Sequence, residues 1–282
     1  MVGQFLRRHG GRIVTYIGFL IFAFIMLFPF YFIVVSSFTP RYEIFQTPPR
    51  YFPQNLTLEN YPNMIATIPF WQYYANSLIF AIGSSLLSTV VSAMAGYGLA
   101  RLKFPGSNLV FLGLVLSIAL PQVALLVPIR EMYNVLGLNN THLGLIILMS
   151  SLVTPFTVWI MVSFVNQIPV EIEEAALIDG ATLWQTIIRI VLPTMRPALA
   201  TMLIINFINA WNELLYPMIF ATRNDTKTLS VGLISLGREA IGTSRPWDRM
   251  SAMSVLMIIP VVILIIFGQR AIVSGLTRGA VK

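Results

Sequence analysis

The chain contains no cysteine among its 282 residues. That excludes disulfides, thiolate metal sites and a cysteine nucleophile. Histidine is scarce: His9 and His142 are the only two. They lie far apart, both in the flanks of apolar runs, so neither a histidine metal site nor a histidine-based triad has residues to draw on. Lysine occurs only at Lys103, Lys227 and Lys282, and none follows glycine. A glycine-rich phosphate cradle closing on a lysine is therefore absent, and this chain cannot hydrolyse ATP by that route. Charge of either sign is sparse: 10% of residues, against about a quarter in soluble domains. With 56% hydrophobic residues and a mean hydropathy of +0.78, little water-facing surface can be built. The solvent is mostly lipid. The net charge of +7 does not imply nucleic acid as a partner, because the basic residues cluster at the ends of apolar runs, where they meet the membrane face.

What the chain has instead is long apolar runs. Residues 13–35, 73–99, 109–127, 143–165, 198–220 and 251–267 each read as a membrane span, since about 20 apolar residues cross a hydrocarbon core. The expected fold is all-α: one polytopic integral membrane domain over residues 1–282, about six transmembrane helices, both termini cytoplasmic. The first run leads into Ser36-Ser37-Phe38-Thr39-Pro40 rather than a small-residue cleavage site, so it reads as an uncleaved span and not a signal peptide. The short turn Arg101–Pro105 is basic, whereas the stretch from Glu131 to His142 has no Lys or Arg. That contrast puts the turn inside. Residues 36–72 and 221–250 then read as outer loops, and Glu131 with Asn139-Asn140 as a short outer connection. Proline interrupts the spans, with Pro121 inside the third, Pro155 breaking the fourth and Pro260 in the sixth.

Two spans carry polar patterns. In the second, Ser84, Ser88, Ser92, Gly96 and Ala100 recur every fourth residue and form a small-residue stripe. It suits either ordinary close packing or a sliding contact within the bundle or with a second membrane chain. In the fifth, Asn206, Asn209 and Glu213 share a face, with Trp211 and Asn212 beside them. Polar groups at membrane depth default to a functional reading, here a translocation path. The competing account bonds them across a helix interface and leaves Glu213 at the outer boundary. The asparagines favour the path, and Glu213 the competing account.

The polar interruption at residues 166–197 holds four of the eleven acidic residues: Glu171, Glu173, Glu174 and Asp179. It has the grammar of two short helices and a tight turn. Pro169 suits a helix start, and the glutamates after it sit where the helix dipole favours negative charge. Ala175 and Ala176 continue the helix with little bulk, and Gly180 can end it in a left-handed conformation. Thr182 and Gln185 have capping-box spacing, so a second helix starts near Leu183, closed by Pro193. From composition alone this is either a solvated connector or a docking surface.

The spacing is informative. Glu174-Ala175-Ala176, three residues, Gly180, nine residues, then Ile190-x-Leu192-Pro193 resembles the EAA loop of ABC-importer permease subunits. Asn76-Ser77, the stretch from Gly96 to Arg101 with Phe104-Pro105-Gly106, Trp211-Asn212-Glu213, and the closing Gly275-Leu276-Thr277-Arg278-Gly279-Ala280-Val281-Lys282 are similar to the smaller permease of the maltose-type carbohydrate uptake family. One departure is Asp248, which follows Trp247 where that subfamily often has glycine.

The resemblance implies a binding-protein-dependent importer of a carbohydrate or related polyol in a bacterial or archaeal inner membrane. It implies a second homologous permease, two ATPase subunits that bind ATP and Mg, and a soluble sugar-binding protein on the outer face. This chain would carry no cofactor and no catalytic residue. ATPase docking would fall to Glu173, Glu174, Ala175, Ala176, Asp179, Gly180 and Ala181. The tail at 270–282 would reach the ATPases through Gly275, Thr277, Arg278 and Gly279. The alternatives are a non-sugar ABC permease, for polyamines for example, and a secondary transporter. The latter needs inverted repeats and carboxylates at the midplane, and Glu213 is the only acid inside a span.

Overall fold

The computed structural model describes residues 2–48, 51–102, 104–238 and 245–280, with side chains described for residues 11–12 and 14–269 of those ranges. Every regular element among them is helical. In chain order they are α1 (Val2–Ser37), α2 (Arg41–Ile44), α3 (Asn60–Thr67), α4 (Phe70–Arg101), α5 (Ser107–Ile118), a 3-10 turn (Gln122–Leu125), α6 (Leu126–Leu136), α7 (His142–Val165), α8 (Val170–Ile178), α9 (Leu183–Thr186), a π turn (Ile187–Val191), α10 (Leu192–Thr194), α11 (Arg196–Asn212), α12 (Leu215–Phe220), α13 (Leu229–Arg238) and α14 (Trp247–Ala280). Among the described residues, four helices are long and apolar enough to cross a membrane, and up to six spans result if each of two bent pairs counts as one.

By its contacts the chain divides into two compact units. The larger comprises residues 69–232 and 260–282. Its centre is the seam between α4 and α7. The stripe sits on it: Ser84, Ser88, Ser92 and Gly96 are buried, while Ala100 is partly buried. Ser150 Oγ donates to the Ser84 carbonyl (3.2 Å), Ser92 Oγ to the Thr154 carbonyl (3.4 Å) and Thr154 Oγ1 to Ser88 Oγ (3.3 Å). At Gly96 the two helices meet backbone to backbone: a Cβ there would lie 2.6 Å from Met161 Cβ and 3.2 Å from the Val162 nitrogen. With little hydrophobic force between helices in lipid, close backbone approach and such bonds are what hold a seam together. Of the two roles open to the stripe, packing within this chain is the one observed. Below it Tyr97, Met161, Val165, Ile168, Val191, Met195 and Met202 form one apolar cluster.

The smaller unit comprises residues 1–68 and 233–259. Its connection after α1 is held by side-chain bonds to backbone. Asn60 Nδ2 donates to the carbonyls of Ser37 and Thr39 (both 2.9 Å). The Glu43 carboxylate accepts from the Gln54 and Asn55 amides and from Asn55 Nδ2. Arg249 Nη1 donates to Thr67 Oγ1 (2.8 Å). These replace the backbone partners that an irregular segment lacks.

Several span boundaries differ from the sequence reading. The third span breaks just before Pro121 and bends by 101°. Beyond the break it continues as α6, so Glu131 is helical rather than in a connection. Pro155 does not break the fourth span, since α7 runs through it. A long helix tolerates one missing bond where neighbouring helices support it. The fifth helix stops at Asn212, with α12 separate. The stretches at 36–72 and 221–250 are not plain loops: α2 and α3 lie in the first, and α13 and the start of α14 in the second. Asp248 falls in the first turn of α14, where the dipole favours an acid, and is buried.

Candidate coupling site

The polar interruption folds as a hairpin of short helices. Pro169 precedes α8, whose first turn carries Glu171 and Glu173. Gly180 has φ +88°, the left-handed region that favours glycine. The turn is closed by the Gly180 amide on the Leu177 carbonyl (3.1 Å) and the Ala181 amide on the Ala176 carbonyl (3.0 Å). That is the Schellman pattern, which satisfies carbonyls otherwise orphaned at a helix end. Thr182 then caps α9 reciprocally with Gln185: the Thr182 amide donates to Gln185 Oε1 (2.8 Å) and the Gln185 amide to Thr182 Oγ1 (3.3 Å). Pro193 does not end the second helix. It lies in the last turn of the continuous helical stretch Leu183–Thr194, just after the π turn. The break comes at Met195, where the pair Leu183–Thr194 and Arg196–Asn212 bends by 73°.

The hairpin has two faces. Glu173 and Ala176 turn inward and are buried. Glu174, Ala175, Asp179 and Gly180 are exposed, and Ala181 is half-buried. Exposed apolar side chains accompany them, chief among them Ile178 at 85% exposure. The sequence reading grouped Glu173 with the outward residues, but its side chain points the other way, because it has an internal partner. Arg101 Nε donates to Glu173 Oε1 at 2.7 Å, and the Tyr97 hydroxyl donates to Glu173 Oε2 at 2.9 Å. Arg101 Nη2 also reaches the carbonyls of Val165 (2.8 Å), the last residue of α7, and of Ile168 (2.6 Å), in the link to α8. Both side chains of the ion pair are nearly buried. The sequence offered one clue to this contact: a lone arginine at the end of an apolar span requires an anion or carbonyls to accept its donors.

The five residues proposed for a path are dispersed. Asn206 is 1% exposed. Its Nδ2 is within reach of Thr157 Oγ1 (3.1 Å), Ser88 Oγ (3.4 Å) and Thr89 Oγ1 (3.5 Å), so it joins α4, α7 and α11. Trp211 is buried, stacked on Phe207 and edge-on to Tyr74. Glu213 Oε1 accepts from the amides of Leu215 (2.7 Å) and Tyr216 (3.3 Å), capping α12. Only Asn209 and Asn212 are exposed. In the tail, Gly275, Thr277, Arg278 and Gly279 have helical backbone within α14, and their surroundings lie outside the described residues.

Apolar spans carrying an ordered acidic hairpin make this a polytopic membrane protein with one structured polar connection. The chain belongs to the family described as binding-protein-dependent transport system inner membrane component, whose model matches residues 88–278. It is 34% identical to the inner membrane ABC transporter permease protein YcjP of Escherichia coli K12, over 98% of both chains. It is 35% identical to the arabinooligosaccharides transport system permease AraQ of Halalkalibacterium halodurans, covering 94% of this chain and 95% of that one. The trehalose/maltose transport system permease MalG of Thermococcus litoralis is 33% identical, over 96% and 97%. Among solved structures, the fold matches a chain of a bacterial ABC transporter that imports the acidic polysaccharide alginate. The TM-score is 0.80 at 22% identity, covering 94% of this chain and 96% of that one.

Proposed function

We propose that this chain is one permease subunit of an ABC importer for an oligosaccharide, disaccharide or related polyol. It pairs with a second, homologous permease, with two ATPase subunits that bind ATP and Mg, and with a soluble sugar-binding protein on the outer face. Both termini and the hairpin face the cytoplasm. The observation that carries this reading is the near full-length similarity to permeases named for arabinooligosaccharide and trehalose/maltose transport. ATP hydrolysis belongs to the partner subunits, since this chain has no phosphate cradle of its own.

The outward face of the hairpin supplies the docking surface. Ala175, Gly180 and Ala181 let a partner approach closely, Glu174 and Asp179 pair with basic groups, and Ile178 offers an apolar anchor. Closure of the ATPase dimer then moves the spans through this contact. The tail residues Gly275, Thr277, Arg278 and Gly279 make a second contact with the same partners.

The test is co-purification of the full complex, followed by a survey of which sugars stimulate its ATP hydrolysis. Stimulation by a carbohydrate is expected, and stimulation only by a polyamine would overturn the substrate class. Glu174→Lys and Gly180→Pro should insert normally yet abolish uptake. The second forces a residue fixed near φ −65° into a position at +88°. Wild-type uptake in both variants would remove the docking role.

A further inference from the structure

The motif around Arg101 resembles part of the permease family, yet docking leaves it without a task. Its surroundings suggest one. Among the described residues, the only side-chain hydrogen bonds from α8 to α4 run through Glu173, and Arg101 extends them to the end of α7. The other inward residue of α8, Ala176, has no polar atom with which to hold a direction. A load on the outward face of the hairpin thus meets α4 through one directional side-chain joint, which also braces the short link from α7 to α8.

We propose that Arg101, with Tyr97 and Glu173, is the tie that carries displacement of the coupling hairpin into α4 and α7. Arg101 acts as a positioning residue and touches neither nucleotide nor substrate. The proposal rests on the docking reading of the hairpin and deepens it. Three acceptors in different directions explain arginine at this place: the carboxylate takes Nε while two carbonyls share Nη2. The guanidinium fork holds such a set rigidly, whereas a lysine ammonium on its flexible stem keeps the charge without the geometry. The Val165 carbonyl lies at the C-terminal end of α7, where a positive charge is favoured, and the Ile168 carbonyl lies in the link to α8. The joint therefore locks three helices with one side chain, and it is shielded from water that would otherwise weaken it.

The experiment uses the complete complex, with ATPases and binding protein, in proteoliposomes. The quantity read is ATP hydrolysed per sugar imported. Arg101→Lys should raise this ratio on the order of tenfold, within the usual range of coupling between sites, with hydrolysis within about twofold of wild type. Glu173→Gln should raise it less, since an amide still accepts from Arg101. A second arm uses the absence of native cysteine: in the Arg101→Cys, Glu173→Cys double variant, a short bis-thiosulfonate bridge should return the ratio toward wild type. An unchanged ratio in Arg101→Lys overturns the tie. So does loss of the ATPase subunits from that variant on purification, which would make Arg101 a folding element only. A bridged double variant as poorly coupled as the unbridged one also overturns it. Wild-type uptake that needs no ATP would overturn the docking reading and the tie together, whereas a coupled wild type with a coupled Arg101→Lys removes the tie alone.

Discussion

Helices α1 and α4 are both long enough to cross a membrane, and they behave oppositely. The apolar stretch of α1 is the more hydropathic of the two, yet none of it is buried within the chain; 44% of the corresponding stretch of α4 is buried. Large side chains surround α1, with Tyr16, Phe19, Leu20, Phe22 and Phe24 all more than half exposed. On α4 the serines, Gly96 and Ala100 lower the hydropathy and let α7 come close. Hydropathy reports that a helix prefers lipid to water; it does not report what the helix packs against. Lipid tails solvate a leucine as well as another helix does, so small residues and buried hydroxyls specify contacts instead.

The contrast can be broken at either helix. The largest effect is expected at Gly96. Gly96→Ala should cost about 1–3 kcal/mol, read as a lowered midpoint in thermal or denaturant unfolding in detergent, because the new methyl meets Met161 Cβ and main chain. Gly83→Ala is the control, since its methyl meets only the flexible Ile146 side chain. It should cost less than half as much, and equal losses would show that close approach at Gly96 is not what matters. Asn206→Leu comes next, with an expected loss of about 0.6 kcal/mol, the average for a hydrogen bond between membrane helices, and at most about 1.7 kcal/mol. A gain in stability would show its bonds to Thr157 and Ser88 to be incidental. The smallest effect is expected on α1. Leu20→Ala should shift the stability of the isolated chain by less than about 0.5 kcal/mol, and a larger loss would mean that α1 is packed after all.

Much of the hairpin was legible because its rules are local. A glycine after an alanine-rich turn, and a threonine three residues before a glutamine, each act on neighbours within one turn of helix. The left-handed Gly180 and the capping box at Thr182 follow from that. The inward turn of Glu173 was not legible, because its partner lies 72 residues away, and Glu173 and Glu174 are alike as letters. Asn206 and Glu213 were read together for their spacing on one ideal helix, but the helix ends between them at Asn212. Glu213 then serves the next helix while Asn206 bonds inward. The bends of 101° and 73° were hidden for a similar reason. Proline marks where a helix can yield, and the neighbours decide whether it does: α7 passes straight through Pro155 as a single element.

The π turn at Ile187–Val191 has a consequence for length variation in this chain. Its bonds enclose one residue more than those of an ordinary helical turn. The stretch between hairpin and span thus already contains a spare residue, wound into the coil without opening a gap. Shortening the chain by one here would regularise the winding rather than tear it, and would leave the two flanks close to their present rotation about the axis, because a π turn winds about as far as an ordinary helical stretch one residue shorter. A single codon lost at this point would leave the acidic knuckle aimed as before, whereas the same loss in a regular stretch of the helix would turn it by about 100°.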